Sequence, residues 1–447
     1  MADLIIKGGV LLTGDPEHPL VEEGYVRVTG NVISEVGTGT PETAAENEVL
    51  DASGMLVTPG FINAHTHLCM ILGRGLGVDR SLLHWLAESQ VPLMMQFEPE
   101  DYALSMELGA IENLKAGNTT ICEVFFSPHY EQEVDLLAAR ALDSSGIRST
   151  FFRCSNDESF FDGFLESREE IVARTERLMA QWPQGGRTTT GLGPLVPWGA
   201  SPDAFRDAAD LADRHGARVH LHTAETPDYN ALVQDRTGKS NVGMLGDVGA
   251  LGDRFMLNHC VHLSDSDITL IADSGSHVVH DPTSNMMLAS GVSPVPKLLA
   301  SGINIGLACD GPACNNGQDM IEAMKDASLL QKVTSADAQI LVAADVFAMA
   351  TSRGARSLGL GAKLGALAAG YLADLVLLDT HSAHLTPMHD PLAALVYSAR
   401  ASDVRTVIVD GKIIVRDGDM TTIDEERVVR QARERASVLR ERAGIPK

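Results

Sequence analysis

The chain has 447 residues, 44% of them apolar and 21% charged, and a formal charge of -25. That length exceeds one ordinary domain but suits a barrel of about 250 to 300 residues with a smaller module attached. The acidic balance excludes a phosphate-backbone or anionic-membrane binder, leaving a small neutral or cationic substrate as the better fit, with no nucleic acid and no membrane as partners.

No apolar run approaches the roughly 20 residues of a membrane-spanning helix, and the start Met-Ala-Asp-Leu-Ile-Ile-Lys lacks the pattern of a signal peptide, so a cytoplasmic protein is expected. The six cysteines, at 69, 122, 154, 260, 309 and 314, show no paired spacing and read as free thiols.

Residues 1 to about 54 hold short alternating runs (Leu4-Ile5-Ile6, Val10-Leu11-Leu12, Tyr25 to Val28, Val32-Ile33) separated by Gly, Asp-Pro and Gly-Asn turns, the pattern of short antiparallel strands. The same texture returns at Ala373 to Asp379 and at Val404 to Val415, with a turn at Asp410-Gly411. Both ends are therefore expected to form one small β-sandwich from segments 1–57 and 363–447.

Between them, strand-like runs alternate with helical segments: Leu56 to Ile62, Thr119 to Phe126, Ser149 to Arg153, Thr188 to Gly193, Arg218 to Thr223, Phe255 to Cys260, His277 to His280 and Ile303 to Cys309. Stretches such as Pro99 to Ala116 and Pro202 to His215 carry apolar residues at helical spacing. Eight such units predict an α/β fold, a (β/α)8 TIM barrel over residues 58–362. A doubly wound sheet would bring a glycine-rich fingerprint after its first strand, where histidines stand instead. The tail Ile423 to Ala443 reads as a solvated terminal helix.

Strand side chains alternate, so His65 and His67 share a face at the end where barrel active sites are built. A lone pair of this kind is a weak signal. The fifth strand, however, ends His220-Leu221-His222-Thr223-Ala224-Glu225, the sixth Asn258-His259-Cys260-Val261-His262 and the eighth Ala308-Cys309-Asp310-Gly311. Each puts a ligand or acid/base type at the same rim, a metal-site constellation.

With these residues, the sequence resembles the amidohydrolase superfamily, in the branch of methylthioadenosine/S-adenosylhomocysteine deaminases and s-triazine hydrolases. The resemblance spans Pro59 to His67, Arg74-Gly75, Trp85-Leu86, Ala116 to Thr120, His222 to Glu225, His259 to Leu263, Pro282 to Asn285 and Asp310-Gly311. It implies one divalent metal ion, zinc or alternatively iron, held by His65, His67, His222 and Asp310. It also implies Glu225 as proton shuttle to the heterocycle, His259 hydrogen-bonded to the attacking water, and a homo-oligomer. Neutral imidazoles and one carboxylate leave an open position where water loses its proton near neutral pH. Asp310 can take that proton, and Glu225 can protonate a ring nitrogen. Binuclear members carry a lysine at the fourth strand's end, and Thr188 to Pro194 has none.

The expected activity is hydrolytic deamination of an amino-substituted N-heterocycle, with triazine chloride or alkylamine release, or methylthioadenosine/S-adenosylhomocysteine deamination, as alternatives. A non-catalytic scaffold does not suit a complete ligand set. In the nucleoside deaminases an acidic residue after Arg-Gly binds the ribose hydroxyls, and its counterpart here is Val78, beside Asp79; a histidine contacting the purine is replaced by Leu195. Neither can make those hydrogen bonds. A bare, alkyl-substituted ring is therefore the preferred substrate class. Trp85, Val78, Arg153, Leu195 and His280 are the expected substrate-binding residues, with Asn285 alongside His280. Met70, Phe125, Phe126 and Trp198 are candidates for apolar walls, and His220, His262 and His277 read as structural.

Overall fold

A computed structural model describes residues 3–446. Eight parallel strands follow one another around a barrel: Phe61–Thr66, Asn118–Phe125, Arg148–Ser155, Thr188–Pro194, Val219–Thr223, Phe255–His259, His277–His280 and Ile305–Leu307. Nearly every strand residue is buried, which explains the continuous apolar runs where an antiparallel strand would alternate. The last strand returns to the first: the Asp310 amide donates to the His65 carbonyl at 3.1 Å, and Cys309 N donates to Asn63 Oδ1 at 2.9 Å. The eighth strand is shorter than the run Ile303 to Cys309, and its last residues turn away to carry Asp310.

The run Leu56 to Ile62, expected as one strand, is two. Met55–Pro59 belongs to the outer sheet and Phe61–Thr66 to the barrel. Pro59 has no amide to continue a ladder. At Gly60 a Cβ would lie 2.0 Å from Thr119 Oγ1, so only glycine passes, and its amide donates instead to Asp374 O at 2.9 Å.

Strands from both chain ends build one nine-stranded sheet, in which Met55–Pro59 pairs with Leu375–Asp379 on one side and Leu4–Leu12 on the other. The sheet bends back on itself, since Val32 bridges to Leu372 and Ala373 N donates to Asn31 O at 2.9 Å. Ile6, Val26, Ile33, Val57, Leu375 and Ile408 fill the core this encloses. Arg148, at the start of the third barrel strand, ties the two units together. It donates to Asp374 through Nε at 2.7 Å and Nη2 at 3.0 Å, with both side chains buried.

The terminal helix, Glu425–Arg442, is not simply solvated. It buries Val428, Ala432 and Leu439 and lies on Pro99–Lys115, where Arg435 grips Asp101 through two 2.7 Å hydrogen bonds and Arg427 grips Glu107. The periodicity shows charge on every face; the partners sit more than three hundred residues upstream and cannot be read from the helix itself. All six cysteines are buried and free, and no helix among the described residues is long and apolar enough to cross a membrane.

Arg148 Nη2 also reaches Asp410 at 3.0 Å, a carboxylate that is only partly buried, so removing Asp374 leaves the buried guanidinium with one weaker partner. Asp374→Ala should therefore lower the unfolding free energy by about 2–4 kcal/mol, somewhat below the cost of stripping a buried charge of every partner, read from the urea midpoint at unchanged m-value.

Candidate metal centre

His65, His67, His222, Glu225, His259 and Asp310 converge at the C-terminal mouth of the barrel, all buried. Three of the strand ends achieve this with left-handed backbone at non-glycine residues: Ala224 (φ 50), His259 (φ 66) and Asp310 (φ 61). Such conformations cost on the order of 1–3 kcal/mol each and gather at functional sites. Beyond the fifth and sixth strands the turned backbone also gains a second set of cross-strand bonds, Val261 N donating to Ala224 O at 3.1 Å and His262 N to the same oxygen at 2.9 Å. These hold Glu225 opposite His259.

The tautomers follow from the partners. His67 Nδ1 donates to Val124 O at 2.7 Å, and His222 Nδ1 donates to Leu195 O at 2.8 Å. Both Nε2 atoms are thereby left as lone-pair acceptors, and they face each other at 3.2 Å. His65 Nδ1 lies 3.3 Å from His220 Nε2, while His65 Nε2 is buried without a hydrogen-bond partner, 3.3 Å from Asp310 Oδ1. Burial lowers the pKa of His65, His67 and His222 and so keeps them neutral. Asp310 is pushed up by burial, but the imidazoles around it, His65 foremost, outweigh this and hold it well below the ordinary carboxylate range.

Unprotonated nitrogens aimed at one another, with a carboxylate beside them, are the donor set of a divalent cation. The ligand atoms of His65, His67 and His222 lie within 4.8 Å of one another, as do those of His65, His259 and Asp310. The residues are thus positioned to bind a divalent metal.

Around this floor, Ser284 Oγ donates to Asp310 Oδ2 at 2.6 Å, and His259 Nδ1 donates to Asn285 Oδ1 at 3.0 Å. His259 Nε2 is 3.6 Å from Glu225 Oε2, and Ser290 Oγ donates to Glu225 Oε1 at 3.3 Å. Burial raises the Glu225 pKa, partly opposed by His259. Burial works to lower His259, but Glu225, Asp281 and Asp310 outweigh it and raise the imidazole above its usual value. Ser284 and Asn285 lie within a motif quoted above, but which of its residues touches which site group is a matter of geometry alone.

Above the floor is a narrow cavity that opens to solvent. Trp85, Leu195, Met70, Phe126 and Trp198 line it as expected; Leu82, Leu83, Leu86, Phe160, Tyr229 and Leu288 join them unforeseen. Trp85 spends its only donor on Leu76 O at 3.2 Å and so offers the cavity its ring alone. Leu195 has two parts to play, its side chain on the wall and its carbonyl on His222. The wall segment runs as helix Leu82–Trp85 straight into a π-helical turn, Leu86–Gln90, a backbone irregularity frequent at functional sites.

Four expectations about the pocket are corrected. Val78 is 48% exposed and lines no part of the cavity, because the chain turns out to solvent there and returns only at Leu82. Arg153 is fully buried but turned elsewhere: Nε donates to Asp135 at 3.0 Å, Nη2 to both Glu166 oxygens at 2.7 and 2.9 Å, and the guanidinium lies over the Tyr130 ring. His280 is buried below the cavity, where burial lowers its pKa to about 3. Phe125 packs against Tyr102 and Phe151 in the core. His220 stacks under His65, His262 Nε2 donates to Ser290 O at 2.7 Å and His277 Nδ1 accepts from Asn304 at 3.1 Å.

The amidohydrolase family profile matches residues 56–414, the whole barrel and the part of the flanking sheet that adjoins it in sequence. The chain belongs to the amidohydrolase family. It is 37% identical to a 5-methylthioadenosine/S-adenosylhomocysteine deaminase of Syntrophomonas wolfei, over 94% of this chain and 96% of that one. It is also 37% identical to a 5'-deoxyadenosine deaminase of Methanosarcina mazei, over 98% and 99%. Among solved structures, an adenosine deaminase from Xanthomonas campestris with bound zinc matches with a TM-score of 0.93 at 30% identity, over 98% and 99% of the two chains. An atrazine chlorohydrolase from Arthrobacter aurescens TC1 with zinc matches at TM-score 0.90 and 23% identity, over 97% and 100%, a likeness of fold. This amidohydrolase is an enzyme acting on carbon–nitrogen bonds.

The parent protein should retain about one equivalent of divalent transition metal after dialysis. His222→Ala and Asp310→Ala should each retain little, measured by elemental analysis.

Proposed function

We propose that this amidohydrolase hydrolytically deaminates an amino-substituted N-heterocycle whose other substituents are uncharged and largely apolar. The observation that carries this is the division of the cavity: every carboxylate and imidazole that lines it lies on the floor among the ligand-type side chains, and the walls are mainly aromatic and aliphatic.

In this reading His65, His67, His222 and Asp310 hold one divalent cation, zinc by its suitability for imidazole and carboxylate donors and by the zinc bound in related structures. The cation supplies a polarised water, nucleophilic near neutral pH. The remaining steps belong to the chain. Asp310, a carboxylate oriented by Ser284, accepts the proton of the attacking water. His259, fixed by Asn285, donates a hydrogen bond to the incoming oxygen. Glu225, whose buried carboxyl keeps its proton to higher pH than a free one, protonates a ring nitrogen as the ring carbon becomes tetrahedral. Asp310 then passes the proton it took to the amino group, the carbon–nitrogen bond breaks to release ammonia, and the hydroxyl proton of the tetrahedral carbon returns to Glu225 as the carbonyl forms. An amine needs this proton where chloride does not, so two acid/base groups favour deamination over the chloride release named for the triazine enzyme.

The relatives at 37% identity are named for substrates with an adenine ring, which carries such an amino group. No lysine or arginine lines the cavity among the described residues, and Arg153 is held by Asp135 and Glu166. A zwitterionic tail brought into the cavity would lie there unpaired, at a cost of several kcal/mol.

A panel of 5'-deoxyadenosine, methylthioadenosine, S-adenosylhomocysteine, free aminopurines and aminotriazines, assayed for ammonia, tests the proposal. The expected result is release from uncharged members, with kcat/KM about tenfold or more above that for S-adenosylhomocysteine. Absence of ammonia throughout, with chloride released from a chlorotriazine, would refute it. Glu225→Gln should keep its metal and lose about a hundredfold or more in kcat.

A further inference from the structure

Glu123 lies on the second barrel strand, fully buried, with no basic side chain paired to it among the described residues. Its strand position is in register with Thr66, the residue between the two first-strand histidines. Its Oε2 accepts from Leu68 N at 2.7 Å and its Oε1 from Cys69 N at 3.1 Å. These are the first two amides after His67, opening the short 3₁₀ turn Leu68–Gly73, which has no side-chain cap of its own. The adjacent carbonyl, Val124 O, takes His67 Nδ1. Residues 123 and 124 thus secure His67 twice, by its ring and by the backbone that follows it.

Burial pushes the Glu123 carboxyl up to about 8 even though the Leu68 and Cys69 amides pull it the other way, so the fold holds this group at a cost. An apolar residue would fill the strand core without that cost, but would leave two buried amides without acceptors. The turn would then seek other partners, and His67 would move with it.

We propose that Glu123 is a positioning residue for the metal centre, clamping the turn after His67 so that its Nε2 stays aimed at the shared site. The inference rests on the metal site proposed above. Groups that orient metal ligands through a hydrogen bond are commonly worth 10–100-fold in metal affinity.

The test is the zinc affinity of the full-length apoprotein, by competition with a chromophoric chelator, beside the thermal midpoints of apo and zinc-loaded forms. Glu123→Gln keeps the size but turns one acceptor into a donor facing an amide. It should weaken zinc binding about 10–100-fold and shrink the gain in midpoint that zinc confers. Glu123→Asp keeps the carboxyl group but falls one methylene short, and should lie between Gln and the parent. If Gln lowers both midpoints equally and leaves zinc affinity within about threefold of the parent, Glu123 is merely structural and the proposal fails. Should Gln not fold, the same threefold criterion applied to Asp decides. A parent that binds no zinc would overturn the metal site itself, and this inference with it.

Discussion

His67 and His222 face each other across 3.2 Å with their other ring nitrogens already donating to backbone carbonyls. Two neutral imidazoles in that pose repel through their lone pairs, and in a buried site neither can turn to water for relief. Protonating one would resolve the clash, but burial disfavours the charge on both. A cation between them resolves it at once. Much of the barrel mouth serves to prevent any other solution. Gly193 lets the fourth strand approach so closely that a Cβ there would sit 2.1 Å from His220 O, and two residues on, Leu195 presents the carbonyl that fixes His222. The floor is pre-organised for charge by elements that gain little from it themselves.

This arrangement separates two tasks that a polar cavity would mix. Carboxylates and imidazoles are gathered at the strand ends, with Asp310, His259 and Glu225 hydrogen-bonded to Ser284, Asn285 and Ser290. Shape is left to side chains such as Leu83, Trp85, Phe160 and Trp198, which come from connecting segments. Connections can vary without disturbing the barrel, so one floor can serve many rings. Two relatives at 37% identity that carry different names fit such a scheme.

What was legible in the sequence follows the same division. Barrel strands are apolar throughout because both faces are buried, and a histidine or an acidic residue at or just beyond the end of such a run stands out; all six floor residues were visible in that way. Wall residues do not stand out. Leu82, Leu86 and Leu288 have the composition of any packed helix, and only their placement over the floor distinguishes them. Arg153 shows the converse failure. An arginine ending a barrel strand has the type and position of a substrate contact, but Asp135 and Glu166 reach it first, from elements whose proximity no local pattern reveals. Val78 was matched by its offset from Arg74-Gly75, while left-handed Gly75, Gly77 and Asp79 send that loop outward. The terminal helix was judged by its own charges, whereas its neighbours decide its packing.

The break at Gly60 has a consequence for how the molecule comes into being. The strand bearing His65 continues directly from Met55–Pro59, which is flanked in the outer sheet by Leu375–Asp379, and the barrel itself is sealed only when Asp310 reaches His65. These pairings are among the most distant the chain can make, the kind that dominate slow folding. On the ribosome, the first two histidines emerge long before any partner exists for the edges of their strand. The cluster of ligand-type side chains is incomplete until Asp310 has been made, and its scaffold until the residues near 379 have left the exit tunnel. A cation held by these residues would therefore enter a cage already built, and the unpaired first strand must meanwhile be kept from pairing elsewhere.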